Sequence, residues 1–70
     1  MKEYLFYTWD DKTEEGFTSL TVARKFIKQN KLTGTLITFD NDGDFIKDLY
    51  FNNGLQVQLK DMPKEKGATL

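Results

Sequence analysis

Two tight-turn signals, Asn41-Asp42-Gly43 and Asn52-Asn53-Gly54, constrain this chain more than any other feature. Asp-Gly and Asn-Gly supply the positive backbone angles that short hairpin turns require, and here each sits between apolar runs. Residues 35–39, 45–51 and 55–60 are therefore expected to form a three-stranded antiparallel meander.

The first half supplies the rest of the fold. Residues 3–9, Glu-Tyr-Leu-Phe-Tyr-Thr-Trp, read as an aromatic strand ended by Asp10-Asp11-Lys12-Thr13, and residues 14–18 as a short strand returning onto it. A helix follows. Ser19 or Thr18 can cap its start, Leu20, Ala23, Phe26, Ile27 and Asn30 fall on one side at helical spacing, and Gly34 stands where a left-handed C-terminal cap is expected. The fold class is thus α+β: a small antiparallel sheet of four to five strands with one α-helix packed on one face, in the order β-(β)-α-β-β-β. Residues 1–62 are expected to form this single domain. Residues 63–70, after Met62, have no periodicity and are expected to form a flexible tail.

Size makes the sheet faces informative. A chain of seventy residues buries only roughly 60% of its unfolded surface, and this one has no cysteine with which to add a disulfide. Its reserve is aromatic: Phe, Tyr and Trp make up 14% of the residues, and each ring removes much apolar area from water. One helix covers one face, yet the strands carry large apolar groups on both. Strand one alternates Leu5, Tyr7 and Trp9 against Tyr4 and Phe6, and the strand at 45–51 alternates Phe45, Leu49 and Phe51 against Ile46 and Tyr50. Only the last strand alternates cleanly, Leu55, Val57 and Leu59 opposing Gln56, Gln58 and Lys60. An exposed aromatic sheet face is therefore expected to bind a protein partner or to seal a homodimer. Tyr4, Phe6, Trp9, Ile46 and Tyr50 are its candidate residues, with Leu36 beside them; alternation alone leaves open whether the opposite strand-one set takes their place.

Charge points to a second candidate. The net charge is −1, but residues 16–39 contain Arg24, Lys25, Lys28 and Lys31 and no acid, so a basic helix sits on an otherwise acidic body. These four cations are the candidate nucleic-acid contact, with nearby aromatics available to stack on unpaired bases. Against it stand the acidic balance and a single Arg, the residue best shaped for bidentate phosphate or base contacts. Cations in the last turn also suit the helix dipole without any ligand.

Most familiar hydrolase mechanisms are excluded by composition. With neither Cys nor His the chain has no Cys/His metal site and no imidazole base or Ser-His or Cys-His pair, and no enzymatic activity, cofactor or small-molecule substrate is expected. Asp40, Asp42 and Asp44 match the opening of a calcium loop, but Phe45 stands where glycine is needed and Phe51 where a bidentate glutamate is needed, so no metal is expected. Together with Asp10, Asp11, Glu14, Glu15 and Asp48, these acids can instead be offered to a basic groove on another protein, as an accessory or inhibitor protein would do. No apolar stretch approaches the roughly 20 residues of a membrane span and no targeting signal is visible, so a soluble cytoplasmic protein without membrane contact is expected.

Overall fold

The two glycine turns do what their residues require. In the computed structural model, which describes residues 3–63, Asn53 and Gly54 both have positive φ, +55° and +87°, the signature of a type I′ hairpin. They join β4 (Phe45–Asn52) to β5 (Leu55–Val57). The turn before β4 is organised by Asp40, whose Oδ1 accepts the backbone N–H groups of Asp42 and Asp44, each at 2.9 Å, while Gly43 takes φ +84°. It joins β3 (Gly34–Phe39) to β4. At the other end of the chain β1 (Glu3–Thr8) turns back into β2 (Glu14–Phe17) through a loop in which Lys12 takes φ +56°.

All five strands form one antiparallel sheet in the order β2-β1-β3-β4-β5. Since β2 and β3 both run antiparallel to β1, they are parallel to each other, and α1 (Leu20–Gln29) is the crossover that links them past β1. This architecture is the one expected from sequence, with the short second strand present.

Helix α1 begins at Ser19, whose extended backbone and Oγ, accepting Val22 N–H at 3.3 Å, make it the N-cap. Its end corrects the sequence reading. The left-handed residue is Lys31, φ +49°, and the N–H groups of Leu32 and Lys31 donate to the carbonyls of Ile27 and Lys28 in a Schellman arrangement. Gly34 serves a different need. It is buried at the start of β3, and a Cβ there would meet the Tyr7 carbonyl oxygen and lie 2.9 Å from Phe6 Cζ, so only glycine lets the Phe6 ring lie across β3.

The core lies between α1 and the sheet. Phe6, Ala23, Ile27, Leu36 and Phe51 are buried, with Phe6 and Phe51 packed edge to face at a centroid distance of 6.2 Å. Phe17 and Phe26 close the β2 side at 5.3 Å. Ala23 is the small residue at the helix–sheet contact, which lets the helix backbone come close.

A β-bulge decides the side-chain parity of β4. Thr38 pairs with Lys47 but Phe39 pairs with Phe45, so Ile46 and Lys47 together oppose Thr38. The buried Thr38 hydroxyl donates to the Lys47 carbonyl at 2.8 Å and accepts the Lys47 N–H at 3.2 Å, replacing backbone pairing that the extra residue disrupts. The last strand is shorter than its alternation suggests. It stops at Val57, and Leu59–Asp61 forms a 3₁₀ turn closed by Asp61 N–H to Gln58 O and Met62 N–H to Leu59 O. Continued pairing would bring it against the part of β4 that approaches the bulge, where local twist carries the strand away. The tail expected from residue 63 lies outside the described residues from 64 onward.

Candidate protein-interaction face

Paired residues in neighbouring strands share a sheet face, so the register divides the side chains without ambiguity. Tyr4, Phe6 and Thr8 of β1, Leu36 and Thr38 of β3, and Leu49 and Phe51 of β4 lie on the side covered by α1. The other face lies away from α1. One row across it runs Glu14, Tyr7, Thr35, Tyr50 and Val57, a second runs Gly16, Leu5, Ile37 and Asp48, and a third pairs Glu3 with Phe39 and Phe39 with Phe45.

Trp9 completes the first row from just beyond β1. Its backbone N–H donates to Thr33 O at 3.0 Å and its indole Nε1–H to Thr35 Oγ1 at 2.8 Å, which holds the ring against the open face next to Tyr7 and Tyr50. The side chains that β1, β3, β4 and β5 give to these two rows are half-buried, whereas Glu14 on β2 is exposed and Phe45 at the end of the third row is 58% exposed. Antiparallel sheets with one wet face ordinarily turn polar residues to it. Here that face is apolar and aromatic along most of its length.

Of the five residues expected on this face, the structure places Trp9 and Tyr50 there. Phe6 is fully buried beneath α1, as is Leu36, and Tyr4 packs against the same core, because the helix covers the even-numbered side of β1. Ile46 is exposed, but as the extra residue of the bulge it lines a cleft with Tyr4, Leu20, Thr38, Lys47 and Leu49 on the helix side. The same bulge moves Phe45 to the open face, away from the Leu49 and Phe51 set. Leu5 and Tyr7, the strand-one alternative, belong to the face, and so do Ile37, Phe39 and Val57, which sequence reasoning missed. A signal for the first two was present in the unbroken alternation of Leu5, Tyr7 and Trp9, the strand-one set that alternation left as the other choice.

Arg24, Lys25, Lys28 and Lys31 are all exposed on α1 and the turn that follows it. Arg24, Lys28 and Lys31 follow one side of the helix over about 10 Å. Arg24 and Lys28 border a shallow depression with Phe51, Gly54, Leu55 and Gln56, where the β4–β5 hairpin tucks under the helix end. The cations and the open-face aromatics thus occupy opposite layers of the molecule.

Carboxylate oxygens of Asp40, Asp42 and Asp44 come within 4.8 Å of one another. Two of the exposed backbone N–H groups at that turn are already bound to Asp40, so a turn-forming role accounts for this carboxylate. Among the described residues no helix is long and apolar enough to cross a membrane. Comparison with protein-family models, with curated proteins and with solved structures found no match for the chain.

Proposed function

We propose that this is a small non-catalytic accessory protein that binds a protein partner through the open face of its sheet. The observation that carries the reading is the row Tyr7, Thr35, Tyr50 and Val57 with the Trp9 ring held beside it, on the face opposite α1. Tyr and Trp suit such a surface because each joins a large apolar body to one polar handle, and they are enriched where protein interfaces concentrate their binding energy.

The alternative, nucleic-acid binding through Arg24, Lys25, Lys28 and Lys31, draws support from the exposure of all four cations. It is the weaker reading. Single-strand binders set several stacking aromatics beside the cations that hold the backbone, whereas here Phe26 beside them is packed on Phe17, and Tyr7, Trp9 and Tyr50 lie on the opposite side. The test is a pull-down from lysate of the source organism with and without nuclease and at low and high salt, read by mass spectrometry. Retention of one protein through both treatments, lost on Tyr50→Lys and kept when the four cations become Ala, supports the sheet face. Nuclease-sensitive recovery lost with the cations supports the helix.

A further inference from the structure

The open face is apolar in its middle and acidic at its margins. Its strand positions hold Glu3, Glu14 and Asp48 and no cation; the single lysine of β4, Lys47, falls on the helix side with the bulge. The turns at both ends continue the pattern, with Asp10 and Asp11 after Trp9, and Asp40, Asp42 and Asp44 after Phe39. Lys12 is the one cation in these two turns. The net charge of −1 conceals this separation, because four of the ten cations, Arg24, Lys25, Lys28 and Lys31, stand on α1 or its end, behind the sheet.

Resting on the reading of the open face as the binding surface, we infer that its partner is a cationic protein surface: an apolar strip flanked by Lys or Arg side chains. The apolar strip lies across Tyr7, Trp9 and Tyr50, and the flanking cations meet Glu14 with Asp10 and Asp11 at one end and Glu3 with the Asp40 turn at the other. Asp48 marks the β4 margin. Complementary charge at the rim of an apolar patch sets partner choice and association rate more than total affinity. The same rim disfavours three other occupants. Two copies placed face to face bring like carboxylates together, and both nucleic acid and the anionic surface of a membrane present negative charge to it.

Trp9, the only tryptophan, lies on the surface in question and reports its occupancy directly. The probes are two Trp-free helical peptides with the same leucine stripe, one flanked by Lys and one by Glu. Each is titrated into the full chain while Trp9 emission and backbone amide shifts are followed. The Lys peptide is expected to bind with shifts at Tyr7, Thr35, Ile37 and Tyr50, at least about tenfold more tightly than the Glu peptide. That preference should shrink as salt rises from about 0.05 to about 0.5 M and in the Glu3→Gln, Glu14→Gln, Asp48→Asn variant. Equal affinity of both peptides for the open face overturns the charge inference and leaves the face as a binding surface. Shifts confined to α1, or no binding of either peptide, overturn both.

Discussion

The indole N–H of Trp9 donates to the Thr35 hydroxyl at 2.8 Å, across twenty-six residues of sequence, and so fixes the one tryptophan on the side of the sheet opposite α1. A ring left free would have many orientations to lose on binding, and ordering a large side chain at an interface costs about 0.5–1.5 kcal/mol. Thr35→Val removes the acceptor while keeping the shape of the side chain. Its expected cost to stability is small, about 1 kcal/mol in urea unfolding, since the indole N–H lies where water can reach it. Trp9 emission should report a wetter and more mobile ring.

Thr38 has a larger effect on the fold. Its hydroxyl both donates to and accepts from the backbone of Lys47, and only 4% of the residue is exposed. Thr38→Val leaves the partly buried N–H and C=O of Lys47 without that partner, at about 1–3 kcal/mol for the two together. Chemical denaturation should show a loss of about 2 kcal/mol, and Thr38→Ser should restore most of it. A loss no larger than that of an exposed threonine would mean the bulge holds without the hydroxyl.

Gly34 tolerates no side chain. A methyl group there runs into the Tyr7 carbonyl and the Phe6 ring, so Gly34→Ala is expected to cost at least about 2 kcal/mol and to broaden the Phe6 and Phe51 ring resonances. Gly16, with no atom near the position a Cβ would take, is the control: Gly16→Ala should be close to neutral in thermal unfolding.

Lys31 takes the left-handed position at the end of α1, where glycine is the usual occupant. Lys31→Gly relieves backbone strain of roughly 1–2 kcal/mol and gives back part of that through greater unfolded-chain entropy and the lost charge at the helix C-terminus. A net gain of about 0.5 kcal/mol is expected from the urea midpoint. A loss would show that the Lys31 side chain stabilises the helix end by more than its backbone costs.

The parts of this structure that were legible in sequence are those fixed by local chemistry. Asn53-Gly54 can form one kind of hairpin, Ser19 can cap one helix, and Leu20, Ala23 and Ile27 can face one way. What was not legible depends on partners distant in sequence. Alternation along β4 places Phe45 with Leu49, and nothing within that strand announces that Ile46 will be the extra residue; the bulge is set by Thr38 on the neighbouring strand. Glycine has two uses, and Gly34 was read for its backbone angle when the chain needed it for close approach. Which side of β1 lies under the helix, and hence whether Phe6 or Tyr7 is offered to a partner, follows from the register of β1 with β3 and from the path of α1 over them.

Separation of the core from the open face makes a functional prediction possible. Leu36→Ala, under the helix, is expected to cost about 2–5 kcal/mol, whereas Tyr50→Lys on the open face should change stability by about 1 kcal/mol or less and abolish partner binding. Circular dichroism and urea unfolding of the two variants check the first half; co-purification with the partner checks the second.

Site-specific photo-crosslinking tests the central claim most directly. A benzophenone amino acid is placed at position 50 on the open face or at position 25 on the outer face of α1, and the source cells are irradiated. The account expects a discrete protein adduct from position 50 and none from position 25. Adducts to protein or nucleic acid from position 25, with position 50 silent, would contradict it.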